Sequence, residues 1–203
     1  MATISLQPVS PSELPMAAQL CAIAMRDNPL HINVFGKSAS KREQRLTRLF
    51  GGLLAYIEAK GELTGAYNNG HLVGVMGCLP PAGCQPSLAQ LLRLVPALLS
   101  SNSPLGLFKT LYWLRSWARL DPSMPHWHLG PLAVANDWQG KGIGRQLLTN
   151  TINMAFKQAP NVALYLETDK LINAQFYQRL GFSILATPTL LATPTWLMLK
   201  NKH

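Results

Sequence analysis

The run Gln139-Gly140-Lys141-Gly142-Ile143-Gly144 decides the reading of this chain. It follows a strand-like stretch, Trp127 to Val134, and opens a helix-like stretch, Arg145 to Gln158. A glycine-rich turn at a helix start leaves backbone N–H groups without intrahelical acceptors, and the helix dipole adds partial positive charge. Glycine permits the tight turn and lets a phosphate approach the backbone closely. Lys141 and Arg145 add cationic side chains beside it. Gln139, Gly140, Lys141, Gly142, Ile143, Gly144 and Arg145 are therefore expected to hold a phosphorylated cofactor. A Walker loop is excluded, because no glycine stands ahead of a Gly-Lys-Ser/Thr with four residues between them. The dinucleotide fingerprint needs its third glycine one residue later and an early βαβ unit, whereas this turn lies two-thirds along the chain.

A second pattern follows the first. Leu164-Tyr165-Leu166-Glu167-Thr168 reads as a strand, and Asn173-Ala174-Gln175-Phe176-Tyr177-Gln178-Arg179-Leu180-Gly181-Phe182 comes after it. Leu132-Ala133-Val134, a polar loop, the glycine turn and an amphipathic helix, then N-x-x-F-Y-x-x-x-G-F, together resemble the GNAT N-acetyltransferase superfamily. The resemblance is strong from about His126 to Phe182 and rests on pattern alone in the first 80 residues. His126-Trp127-His128-Leu129 paired with Leu166-Glu167-Thr168 looks similar to the puromycin N-acetyltransferase branch.

The resemblance implies a mixed α/β fold with a mostly antiparallel central sheet flanked by helices. It implies acetyl transfer from acetyl-CoA, as cosubstrate, to an amine that attacks the thioester directly. The backbone of Leu132, Ala133 and Val134 would pair with the pantetheine arm and offer an N–H to the thioester oxygen, where charge grows in the transition state. Asn173 would contact the cofactor, and Tyr177 would lie near the departing sulfur. A thiol titrates near 8.5 and a phenol near 10. Tyr177 is therefore read as a hydrogen-bond donor that strengthens its bond as sulfur gains charge. Phe176 and Leu180 are read as core.

The base is assigned to Glu167, directly or through water, with His128 as the alternative. Glu167 is a lone carboxylate at the end of an apolar strand, Val162 to Leu166. His128 shares a strand face with His126 and Gly130 by alternation, and an imidazole titrates near neutrality. Two histidines at i and i+2 could hold a metal, but no third ligand is evident in the sequence, so no metal is expected.

The chain has 203 residues, 48% of them apolar, enough for one domain with a sizeable core, here residues 1–203 with a helical insert at about 80–125. No apolar run is long enough to span a bilayer, and the N-terminus lacks a secretory pattern. Cys21, Cys78 and Cys84 are odd in number and without zinc-like spacing, which points to reduced core thiols in a cytoplasmic protein. The formal charge of +9 is dispersed. Lys37, Lys41, Arg42, Arg45 and Arg48 alone cluster, and they read as a solvated helix face that leaves no nucleic-acid or membrane partner expected. The expected partner is a small-molecule amine, with a protein amine open, and the chain is expected as a monomer or homodimer. A non-catalytic acyl-CoA-sensing or partner-binding domain remains the alternative function.

Local signals place the other elements. Thr3 to Gln7 reads as a strand. Ser10-Pro11-Ser12-Glu13 and Ser40-Lys41-Arg42-Glu43 read as capping boxes. The helix after Ser10 is expected to stop near Asp27-Asn28-Pro29. The helix after Ser40 puts Leu46, Leu49, Phe50, Leu53, Leu54 and Ile57 on one stripe. Tyr67-Asn68-Asn69-Gly70-His71 marks a hairpin. Ser87 and Ser103-Pro104 start two helices of the insert, with Trp113 and Trp117 four apart. The insert reads equally as a lid over the acceptor site or as a packed helical hairpin. Phe182 to Leu190 and Thr195 to Leu199 are expected to close the sheet as an antiparallel pair.

Overall fold

A computed structural model of the chain describes residues 3–83 and 88–202, with backbone only at 88–91 and 93. Cys84 and Ser87, both singled out above, lie outside the described residues. The first strand, β1 (Ile4–Pro8), leads into α1 (Leu14–Met25) through a short 3-10 turn. There Ser10 donates its backbone N–H to the Glu13 carboxylate at 2.9 Å, as the capping pattern requires. The chain continues through α2 (Pro29–Phe35), α3 (Ala39–Lys60), β2 (Glu62–Asn68) and β3 (His71–Leu79). The β2–β3 turn carries Asn69 and Gly70 at φ of 48° and 79°, the positive values an Asn-Gly turn supplies.

The insert forms α4 (Leu88–Ser101) and α5 (Pro104–Leu120), and the core resumes with β4 (His126–Val134), α6 (Ile143–Gln158), β5 (Ala163–Thr168) and α7 (Leu171–Gln178). Then come β6 (Ser183–Ala186), the small hairpin β7 (Thr189–Leu190) and β8 (Thr193–Pro194), and β9 (Trp196–Lys200). Seven strands make one sheet in the order β1-β2-β3-β4-β5-β9-β6. Its neighbours are antiparallel except β4 and β5. The β6–β9 pair is the closing pair expected from the sequence, interrupted by the small hairpin.

Helices cover both faces of the sheet, which is why β3 is apolar almost throughout. Leu72, Val75 and Leu79 join one core with Leu46, Phe50, Leu54 and Ile57 of α3. Val73, Met76 and Cys78 join the other with Leu147, Leu148 and Ile152 of α6. Cys21 and Cys78 are buried, as expected of small core residues.

Two local expectations near α3 are corrected. The helix is capped at Ser38, not Ser40, and Arg42 N–H already bonds Ser38 O at 2.9 Å. Glu43, which Ser40 would need as its reciprocal partner, instead accepts from Arg26 at 2.9 Å. Arg42 is not part of a solvated face, being only 3% exposed. Its guanidinium donates to the carbonyls of Arg26, Gly36 and Lys37 and to Asp27. Pro29, read as a stop signal, opens α2, because proline at the first helical position loses no hydrogen bond.

The sheet opens at its centre. The parallel β4–β5 pairing runs from His126↔Ala163 to His128↔Tyr165, and no later pair joins the two strands. On the other edge, the β3–β4 register shifts between Met76 and Cys78, opposite Gly130 and Pro131. Gly77 is required there, since a Cβ would lie 2.6 Å from Gly130 O. The bulge and the parting of β4 from β5 turn the end of β4 into the wall of a cleft.

Candidate active site

Two cavities lie in this cleft. The larger, about 440 Å³, runs along the end of β4 and the start of α6. It is lined by Leu132, Ala133 and Val134, by Gln139, Gly140, Gly142, Ile143, Gly144 and Arg145, and by Asn173 and Tyr177. Every cofactor residue expected from the sequence lines it except Lys141. The Lys141 ammonium lies 4.5 Å from the centre of the Trp138 ring, a cation–π arrangement on the rim. Trp138 itself lines the cavity, as does Phe176, which the sequence assigned to the core.

The glycine turn has a specific conformation. Gly140 and Gly142 sit at φ of 74° and 81°, and a Cβ on either would meet nothing within 4 Å. Positive φ, not crowding, selects glycine here. Gly142 is the N-cap of α6, whose first hydrogen bond joins Gln146 N–H to Gly142 O. The N–H groups of Ile143, Gly144 and Arg145 therefore precede the first helical donor and have no acceptor within the helix, at the positive end of a 16-residue helix. Helix starts two residues before the sequence placed it. On β4, Val134 O accepts from the Gln139 side chain at 3.0 Å, on the edge that β5 has left. By the two-residue repeat of a strand, the N–H of Leu132 and of Val134 share that edge.

The smaller cavity, about 100 Å³, adjoins the first through Met25, Asn28, Leu132, Asn173 and Tyr177, which line both. Glu167 and Asp169 put acid into it, and Trp113 and Trp117 of α5 put aromatic surface into it. The insert thus forms part of a wall, and α4 packs on α3. Tyr177 is half-buried at the junction, where desolvation pushes its hydroxyl up to about 12. Asn173 donates to Thr168 Oγ1 at 3.3 Å, tying the start of α7 to the end of β5.

Glu167 and His128, weighed as alternative bases, are brought together. His128 Nε2 donates to Glu167 Oε2 at 3.0 Å. The Glu167 side chain is 5% exposed and lines the smaller cavity, and its Oε1 makes no hydrogen bond within the protein. His128 lines neither cavity and stands behind Glu167. A third acid joins them that the sequence reading missed. Asp121 Oδ1, in the turn after α5, lies 3.2 Å from His126 Nε2 and 3.7 Å from His128 Nδ1. Burial alone would raise the Asp121 pKa, but hydrogen bonding to His128 and the two imidazoles outweigh it and leave the carboxyl below its ordinary value. The expectation that no third potential ligand accompanies the two histidines is thereby corrected. Nothing local could reveal Asp121, since it sits in an irregular turn and reaches the histidines only through the path of the chain.

A family model described as "Acetyltransferase (GNAT) domain" matches residues 111–184, which span β4 to α7 and so include both motifs. This is the GNAT acyl-CoA N-acetyltransferase fold. Mycothiol acetyltransferase of Corynebacterium aurimucosum is 36% identical over 74 residues, covering 36% of this chain and 24% of that protein. The match thus spans about a quarter of the curated relative's length. Among solved structures of the GNAT fold, a Corynebacterium glutamicum protein described as "histone acetyltransferase HPA2 and related acetyltransferase" superposes with a TM-score of 0.72 at 22% identity. That likeness covers 100% of this chain and 98% of the other. Arylalkylamine N-acetyltransferase 2 of Aedes aegypti superposes with a TM-score of 0.66 at 16% identity, covering 99% and 100%. Among the described residues, no helix is long and apolar enough to cross a membrane.

Proposed function

We propose that this GNAT-fold chain is an acetyl-CoA-dependent N-acetyltransferase acting on a small, cationic primary amine with an apolar or aromatic body. The observation that carries the proposal is the meeting of the two cavities at Tyr177 and Asn173. One cavity has an anion-binding helix start and an open strand edge, and the other has a carboxylate and two indoles. The pyrophosphate lies against the N–H groups that follow Gly142, and the pantetheine arm runs along the open edge of β4. The amine enters the smaller cavity, where Glu167 attracts it and the Trp113 and Trp117 rings favour a cationic or apolar body.

In the reaction the amine nitrogen attacks the thioester carbonyl carbon, and the C–S bond breaks. A β4 backbone N–H stabilises the oxyanion. Glu167 takes the proton from the amine, directly or through water, and His128 holds the carboxylate in position. The Tyr177 hydroxyl donates to the departing sulfur. The Aedes aegypti neighbour is an arylalkylamine N-acetyltransferase by name, which fits an aromatic-walled amine site. The likeness to the puromycin N-acetyltransferase branch rests on the H-W-H-L and L-E-T pairing alone, and the relatives above point to the superfamily rather than to that branch.

The test is release of CoA thiol from acetyl-CoA over a panel of aryl-alkyl amines, polyamines and amino acids, with calorimetry of CoA binding alongside. Turnover with one amine class is expected. Gly142→Asp, which puts a carboxylate against the pyrophosphate, should weaken CoA binding by more than roughly tenfold in a folded protein. Unchanged CoA affinity in that variant would remove the phosphates from the glycine turn. Tight CoA binding without turnover on any amine would leave a sensing domain instead.

A further inference from the structure

We propose that Asp121, His126 and His128 form a divalent-cation site, best suited to Zn²⁺, clamping the turn after α5 to the start of β4. One ligand atom from each residue lies within 4.8 Å of the others. Zinc bonds to imidazole nitrogen and carboxylate oxygen at about 2.0–2.2 Å, so neighbouring ligands around a tetrahedral ion stand about 3.3–3.5 Å apart. The 3.2 Å and 3.7 Å separations of Asp121 Oδ1 from His126 Nε2 and His128 Nδ1 bracket that edge. Three ligands leave a fourth position for water, and Asp121 and His128, at 25% and 22% side-chain exposure, leave a path to it.

The far nitrogens of the two rings supply an independent observation. His126 Nδ1 faces Met124 O at 2.9 Å, and a carbonyl can only accept, so that nitrogen carries a proton. His128 Nε2 donates to Glu167 at 3.0 Å. With those protons in place, His126 Nε2 and His128 Nδ1 are the nitrogens that face Asp121, each able to take a metal ion or a second proton. One shared dication would satisfy the carboxylate and both facing ring nitrogens at once. A backbone carbonyl behind one ligating histidine and a carboxylate behind the other are the outer partners such ligands take. The alternative is two additional protons, giving two imidazolium rings in place of the ion. Bound metal would also fix His128, and through it Glu167, beside the smaller cavity.

The experiment uses untagged full-length protein, stripped with chelator, and Zn²⁺ alone as the probe. One Zn²⁺ per chain is expected by calorimetry and elemental analysis, with Co²⁺ in its place giving the intense visible bands of a four-coordinate site. Asp121→Asn and His126→Gln should each weaken Zn²⁺ binding by at least roughly 100-fold, and loss of the outer carboxylate in Glu167→Gln by about 10- to 100-fold. His71→Gln, at the exposed histidine that opens β3, should bind like wild type. Zn²⁺ should raise the melting temperature of wild type and not of Asp121→Asn. No uptake by wild type overturns the proposal, whatever the folding of the variants. So does uptake unchanged in both Asp121→Asn and His126→Gln, which assigns the two ring nitrogens to protons.

Discussion

Tyr177 lines both the proposed cofactor cavity and the proposed acceptor cavity, and burial pushes its hydroxyl up to about 12. The phenol therefore stays protonated through the whole neutral range and acts as a donor. Tyr177→Phe keeps the ring and removes the donor. We expect kcat to fall by roughly 10- to 100-fold while the CoA dissociation constant stays within about twofold, since the bond matters most when sulfur gains charge. A normal kcat under chemistry-limited conditions removes the hydroxyl from the mechanism. In the proposed mechanism Glu167 and His128 divide the work differently, because Glu167 lines the smaller cavity and His128 lines neither. Glu167→Gln should lower kcat/KM by roughly 10²- to 10³-fold. His128→Gln, which loses only the 3.0 Å bond that orients the carboxylate, should cost less than Glu167→Gln. The reverse order in single-turnover rates makes His128 the base.

Arg42 carries the corresponding argument for the elements, because it joins three helix ends at once. From α3 it donates to Arg26 O after α1 and to Gly36 O and Lys37 O after α2, and it pairs with Asp27. That pairing holds the Asp27 carboxyl below its ordinary pKa. Lysine has one point donor group in place of the planar fork and leaves some of these acceptors unpaired. Arg42→Lys should destabilise by about 3 kcal/mol, a drop in Tm of roughly 6–12 °C by thermal melting. A shift under about 2 °C would make the network incidental. Sequence pattern hid this residue, since a basic cluster on an amphipathic helix reads as a solvated face until the chain folds back over it. The segment from β4 to α7 was legible because its chemistry is local: glycines at positive φ, an alternating strand and a helix start stand within a few residues of one another. The α2 helix and Asp121 were not. Pro29 gives the same local signal for a stop and a start, and Asp121 meets its histidines only once α5 has positioned the turn. The sequence reads the insert as a lid or a packed hairpin, and the fold packs α4 on α3 and puts two indoles of α5 in the wall of the smaller cavity.

At the scale of the molecule, His31 marks where the insert meets the N-terminal helices. Its ring contacts Phe35 of α2, Phe50 of α3 and Trp113 of α5 at centroid distances of 6.0, 6.1 and 5.7 Å, and it lines the smaller cavity. His31 Nδ1 donates to Met25 O at 2.7 Å. Burial lowers its pKa from the ordinary value; the Met25 carbonyl and Asp169 oppose the shift, and Lys170 and Arg42 add to it. The folded protein therefore keeps His31 neutral while the unfolded chain takes up a proton near pH 6.5. Below that pH the unfolded state binds more protons, so the stability contributed by neutral His31 is present above about 6.5 and is lost as pH falls toward the folded pKa. One such group can give a slope of at most about 1.4 kcal/mol per pH unit. The depressed carboxylates Glu13, Asp27 and Asp121 titrate below their ordinary range, so they add little between about pH 7 and 5. Urea unfolding across that interval should show wild type losing more stability than His31→Asn, a variant that retains an N–H donor and cannot titrate. Because the ring lines the proposed acceptor cavity, the same acidification should raise the KM for amine before it weakens CoA binding. Parallel pH slopes for the two proteins would mean that protonation at this junction does not govern how the insert is held against the sheet.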